Sequence, residues 1–244
     1  MNILLTIAYD GTQYYGWQIQ NGQLTIQEVV QTALTQLYQK PLTIRGASRT
    51  DTGVHALGQR GMFVYPDNYI PLEKLPLALN NKLPPDVRIM KAEAVSDDFH
   101  PQFGAKNKSY AYKIYNANII DPVYNNYAWH VKPALDIDKM NAAAQALIGT
   151  HDFNAFCAAG SVVKSTVRTI YEIKVTKDNN LVTIDVNGNG FLYNMVRIIS
   201  GTLCYIGYGK LAVADMATIL ASKDRTTGGI TAPPQGLTLV NINY

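Results

Sequence analysis

The 244-residue chain has only two cysteines, Cys157 and Cys204, and four histidines, and none of them stand at metal-ligand spacing. No C-x-x-C or H-E-x-x-H run occurs, which argues against both a structural zinc and a disulfide framework. No apolar run approaches bilayer length, and the opening Met1-Asn2-Ile3-Leu4-Leu5-Thr6 has no positively charged leader or cleavage site. The expectation is a cytoplasmic chain with no membrane segment. Phosphate-binding loops of the Walker type and nucleophile elbows are missing as well. Gly188-Asn189-Gly190 begins like a dinucleotide fingerprint but fails at the third glycine position, which is Tyr193, so it is read as a strand-to-helix turn.

What is present fits a folded globular protein: 47% hydrophobic residues against 16% charged ones. Tyrosine is abundant, with 16 residues against six phenylalanines, and tyrosine suits surfaces where a flat ring is only partly covered. The formal charge of +3 is uneven, because residues 1–105 carry eight Lys and Arg against nine acids, and residues 106–244 carry thirteen against nine. A polyanionic partner is therefore permitted, mainly through the second half, without being required.

Ile3 to Tyr9 reads as a strand closed by Asp10-Gly11-Thr12, and Thr25-Ile26-Gln27-Glu28 has the pattern of a capping box before a helix ending near Tyr38. Strands are expected at Leu42–Ala47, Gln59–Tyr65 and Val87–Ala94, with a helix over Leu72–Leu83 that contains Pro76. The second half offers a strand at Ser109–Tyr115 and a helix at Asp136–Ile148 capped by Asp136 and closed by Gly149. A hairpin of Val167–Thr176 with Leu181–Val186 follows, then a long helix at Phe191–Ile206, a shorter one at Val213–Ala221 and a closing strand at Leu237–Ile242. The fold class expected is α+β: two ferredoxin-like, RRM-like β-α-β-β-α-β halves with mostly antiparallel sheets joined around a central cleft, residues 1–105 and 106–244.

The stretch Gly46 to Ala56 sets one aspartate and one arginine in a hydrophobic frame, with Gly53 able to turn the chain at positive φ just after Asp51. Asp51 either caps its own turn by bonding to backbone two residues on, or is presented outward as a functional group. No second carboxylate accompanies it, so a two-acid glycosidase arrangement is not encoded locally. On the long helix, Arg197 shares a face with Tyr193, Ser200, Gly201 and Cys204, and the small residues there let another segment approach closely. It is either a solvated surface charge or a counter-charge for a carboxylate. Lys106-Asn107-Lys108-Ser109-Tyr110-Ala111-Tyr112-Lys113 interleaves lysines with tyrosines, as an RNA-reading strand does and as an edge strand guarded against aggregation also does.

Arg49-Thr50-Asp51-Thr52-Gly53-Val54-His55-Ala56, preceded by Tyr9-Asp10-Gly11-Thr12-Gln13-Tyr14-Tyr15-Gly16-Trp17-Gln18, resembles the tRNA pseudouridine synthase A family. The likeness continues through Asp97-Asp98-Phe99-His100, Lys108 to Tyr112, and Gly190 to Arg197 with Gly201, so it spans nearly the whole chain. Ser48, Thr52 and Asn194 depart from the family's usual glycine, alanine and histidine, and none of the three is expected to touch a residue with a proposed chemical role. The resemblance implies that Asp51 is the catalytic aspartate and that Arg197 pairs with it. It further implies that Tyr110 contacts the target base and that Arg49 helps displace the target nucleotide. It implies conversion of uridine to pseudouridine at positions 38 to 40 of the tRNA anticodon stem-loop by a homodimer, with no cofactor and no metal. Lys106, Lys108, Lys164 and Arg168 are the expected phosphate contacts. A non-catalytic RNA-binding protein of two ferredoxin-like units is the alternative from a different class, and a nucleoside hydrolase a third.

Overall fold

The computed structural model describes residues 1–66, 70–160 and 163–244 and is α+β, with mostly antiparallel strand pairing. The chain forms two compact units, Met1–Lys106 together with Leu239–Tyr244, and Asn107–Thr238.

In the first unit, the elements run β1 (Asn2–Tyr9), α1 (Ile26–Tyr38), β2 (Arg45–Gly46), β3 (His55–Val64), α2 (Leu75–Asn80) and β4 (Val87–Val95). Strand β1 lies between β3 and β4, and β2 pairs with the far side of β3, all antiparallel. Being central, β1 is buried on both faces through Ile3, Leu4, Leu5, Ile7 and Tyr9. Thr25 caps α1 as its position suggests: it is extended and its hydroxyl accepts from the Glu28 amide at 3.4 Å. At the other end of α1, the Tyr38 ring packs against Phe63 and Tyr65.

Two expectations for this unit need correction. The strand expected over Leu42–Ala47 is reduced to Arg45–Gly46, because side chains of α1 take the backbone groups a ladder would use. Gln31 accepts from the Ile44 amide, Thr35 from the Leu42 amide, and Gln27 donates to the Ile44 carbonyl. The helix expected over Leu72–Leu83 shrinks to Leu75–Asn80, with Pro76 in its first turn, where a missing N–H costs nothing.

The second unit contains β5 (Asn107–Asn116), β6 (Trp129–Val131), α3 (Ile137–Ala144), β7 (Gly149–Asp152), β8 (Val167–Asp178), β9 (Leu181–Gly188), α4 (Met195–Gly207) and α5 (Asp215–Ser222). The strands lie in the order β5-β9-β8-β7, antiparallel throughout, while β6 adds to β5 in parallel. Asn179 takes positive φ at the β8–β9 turn, a conformation that asparagine tolerates. The α4 helix begins at Met195 and not at Phe191, because Asn194 has φ 58° and cannot belong to a right-handed helix. The last strand, β10 (Leu237–Asn243), runs beside β3 of the first unit.

Strand β7 covers only Val167–Ile170 of β8. Further along β8, the Asn141 amide of α3 substitutes for a strand: Nδ2 donates to the Val175 carbonyl at 2.7 Å and Oδ1 accepts from its amide at 2.8 Å. Asn141→Ala orphans both groups, and the unfolding free energy is expected to fall by about 1–3 kcal/mol, read as an earlier urea midpoint at unchanged slope.

Candidate active site

The Asp51 loop is assembled from backbone hydrogen bonds to the irregular segment that follows β1. The Trp17 amide donates to the Thr50 carbonyl at 3.1 Å and the Gly53 amide to the Tyr14 carbonyl at 3.2 Å, so the residue before Asp51 and the residue two after it are both tied down. The Thr50 hydroxyl pairs with the Tyr9 phenol at 2.8 Å, and Thr50 itself is buried. Gly53 has φ +76°, and the Val54 amide closes the turn on the Asp51 carbonyl at 3.1 Å. The amide two residues past Asp51 is thus bonded to Tyr14.

On the approach to the loop, the Ala47 amide donates to the Arg60 carbonyl and the Gln59 side chain donates to the Ser48 carbonyl. Beyond it, His55 is buried, with Nδ1 accepting from the Gly11 amide at 3.0 Å and lying 3.2 Å from Asp10 Oδ1. Asp10 in turn accepts from the amide and hydroxyl of Thr12, which fixes the turn that leaves β1. Asp51 emerges half-buried between an exposed Arg49 and an exposed Thr52.

In the second unit, Tyr110 sits on β5 opposite Val186 and meets the Phe191 ring edge-on at 5.2 Å. It is only 7% exposed, a more enclosed ring than a strand of alternating lysine and tyrosine suggests. The next tyrosine on that face, Tyr112, is fully buried and donates to the Pro233 carbonyl at 2.7 Å. Burial raises its phenol above the ordinary range, with the Arg197 charge pulling the other way.

Arg197 is not a solvated charge on an outward face. Its Nε donates to the Ala232 carbonyl at 2.7 Å, its Nη1 to Asn194 Oδ1 at 2.8 Å, and its own carbonyl accepts from the Ala232 amide at 3.1 Å. The small residues around it do let a segment approach: a Cβ on Gly201 would lie 2.0 Å from the Ile230 carbonyl oxygen. The Thr202 hydroxyl accepts from the Gly229 amide at 2.9 Å and completes the attachment of residues 228–233 to α4. The departure at Asn194 therefore does touch a residue with an assigned role. The signal for it was its spacing of three from Arg197, which brings side chains together in the first turn of a helix.

Of the four expected phosphate contacts, Lys108 and Arg168 come together. Burial, and after it the nearby Arg168 charge, together push the Lys108 ammonium down to about 8. Arg168 is pinned by hydrogen bonds to the Ser165 and Val167 carbonyls, Lys164 is exposed, and Lys106 belongs to the first unit, where its amide donates to the Asn243 carbonyl. Among the described residues, no group of three or more His, Cys, Asp or Glu is placed to hold a metal ion, and no helix is long and apolar enough to cross a membrane. Both cysteines are free and buried.

A family model described as tRNA pseudouridine synthase matches residues 5–104 and 143–244. A tRNA pseudouridine synthase A of Thermoanaerobacter sp. (strain X514) is 49% identical over 243 residues, covering 100% of this chain and 99% of that protein. Proteins of the same name from Ruminiclostridium cellulolyticum and Caldicellulosiruptor saccharolyticus are 50% and 44% identical over 243 residues, each with 99% of its own length covered.

A methyl group on Gly11 would lie 2.0 Å from the Val54 carbonyl oxygen, inside the frame that holds Asp51. Gly11→Ala is expected to cost about 1–3 kcal/mol of stability through the displaced backbone, measured by chemical denaturation. An unchanged midpoint contradicts this packing.

Proposed function

The chain belongs to the tRNA pseudouridine synthase family, and we propose that it isomerises uridine at positions 38 to 40 of the anticodon stem-loop, with Asp51 as the reacting carboxylate. The observation that supports this most is the construction of the Asp51 loop: both flanking backbone segments are hydrogen-bonded to Tyr9–Trp17. A reader of RNA has no need of an acid presented so rigidly.

The enzyme is an isomerase that converts uridine to pseudouridine. The bond from ribose C1′ to N1 breaks, a bond from C1′ to C5 forms, C5 loses its proton and N1 gains one. No electrons are exchanged with another molecule and no group is added. Asp51 takes the nucleophile's part at C1′ or at C6 of the ring, or assists loss of the C2′ proton through a glycal. Arg197 supplies positive charge that favours the ionised carboxylate. Tyr110 stacks on the uracil and takes part in removing the C5 proton once the base is reattached.

A uridine in a stem reaches such a carboxylate only when flipped out, which costs a few kcal/mol of unstacking, and Arg49 is proposed to help displace it. Lys106, Lys108, Lys164 and Arg168 are proposed to meet phosphates. The proposal extends to a cytoplasmic homodimer whose two units are each ferredoxin-like. The strand order β4-β1-β3-β2 in the first unit supports that description.

Transfer RNA labelled with tritium at C5 of uridine tests the reaction. Tritium is expected in water with the base still attached to its ribose, and a tRNA with no uridine at positions 38 to 40 is expected to release none. Binding without release points to the non-catalytic reader, and free uracil to a hydrolase.

A second expectation follows from Lys108, whose ammonium is held near 8. Raising the pH through about 8 removes its proton, so tRNA affinity is expected to weaken above that pH. Lys108→Arg, charged throughout, is expected to flatten the dependence in a filter-binding titration.

A further inference from the structure

We propose that Asn194 is a positioning residue that orients the Arg197 guanidinium for the isomerisation, an inference that rests on the role given to Arg197 above. Asparagine at a helix N-cap ordinarily takes extended backbone and spends its side-chain oxygen on an amide of the first turn. Asn194 does neither. Its backbone is left-handed at φ 58°, ψ 10°, and its side chain makes no capping bond. The oxygen instead accepts from Arg197 Nη1 at 2.8 Å.

That choice has a physical reason. Arg197 lies in the first turn of α4, where the helix dipole disfavours a cation. A neutral acceptor offsets part of that cost without cancelling the charge that the chemistry uses. The guanidinium is planar and rigid, so holding Nη1 on Asn194 and Nε on the Ala232 carbonyl fixes its plane as well as its position. The Ala232 end of this clamp is anchored independently. Its amide returns a bond to the Arg197 carbonyl, and the adjacent Pro233 carbonyl holds the Tyr112 phenol. Asn194 thus clamps the guanidinium from the helix's own start.

The test compares wild type, Asn194→Gly and Asn194→His in steady-state turnover of tRNA. Glycine accepts left-handed backbone freely, so Asn194→Gly should melt within a few degrees of wild type while losing only the acceptor. Its kcat is expected to fall about tenfold or more with KM for tRNA little changed, the loss of a hydrogen bond to a charged group.

Asn194→His restores an acceptor nitrogen while the ring is neutral. Its kcat relative to wild type should therefore approach one at pH 8 and fall as acid protonates the ring, at a pH below the ordinary imidazole range because the Arg197 charge disfavours the imidazolium. An Asn194→Gly enzyme with wild-type kcat, or an Asn194→His ratio that is flat with pH, overturns the proposal. Should the glycine variant not fold, the pH dependence of the histidine variant decides alone. If wild type makes no pseudouridine, the assignment of the reaction fails instead, and that result is read from the unmutated protein before any comparison.

Discussion

Two hydrogen bonds, from the Trp17 amide to Thr50 and from the Gly53 amide to Tyr14, decide where Asp51 can be. Without them the loop between β2 and β3 loses two of the backbone ties that hold its middle. Each constrained residue costs about 1–2 kcal/mol of backbone entropy, so such a loop persists only where its partners over-determine it. Here they do, since the same segment also supplies the Tyr9 phenol to Thr50 and the Gly11 amide to His55. The rest of the first unit, with β1 buried at its centre, is the rigid base from which Tyr9 to Trp17 departs.

The second unit solves a related problem by different means. A cation belongs poorly at the start of a helix, yet Arg197 is kept there by bonds to Asn194 and Ala232. Gly201 allows residues 228–233 to lie directly on α4, bringing the Ala232 carbonyl within reach. Specific small residues thus act at a distance of one helical turn from the charge they help to hold. The chain's membership of the tRNA pseudouridine synthase family, with 44 to 50% identity to relatives covered to 99% of their own length, makes it an isomerase that converts uridine to pseudouridine.

Much of the fold was legible because local rules and tertiary packing agree. The Thr25 cap, the Asp136 cap, the β8–β9 hairpin and the strand at β5 all appear where residue pattern puts them, although Ala111 is buried alongside Tyr110 and Tyr112. Asp136 accepts from the Lys139 amide at 3.0 Å, as its spacing suggests. One miss comes from side chains that take the backbone groups of a neighbouring segment. Gln27, Gln31 and Thr35 take the bonds that a Leu42–Ala47 strand needs, and no window of sequence containing only that strand reveals it. Asn194 delays the start of α4 to Met195 through a left-handed backbone conformation that its neighbours do not signal. Asp51, Tyr110 and Arg197 are singled out by the motifs that carry them, and the roles given to them are the proposed ones. The partnership of Arg197 with Asn194 is signalled by their spacing of three alone, which does not by itself distinguish a contact from two independent side chains.

The most direct test of the central claim is Asp51→Asn, which keeps the shape of the side chain and every backbone bond of its loop while removing the negative charge. Nucleoside chromatography of tRNA after prolonged incubation with this variant is expected to show no pseudouridine above the enzyme-free control. Its melting temperature should stay near that of wild type and its tRNA affinity within about tenfold, since phosphate contacts dominate binding. Pseudouridine formed at close to the wild-type rate would contradict the account, because the carboxylate that the loop is built to present would then be dispensable.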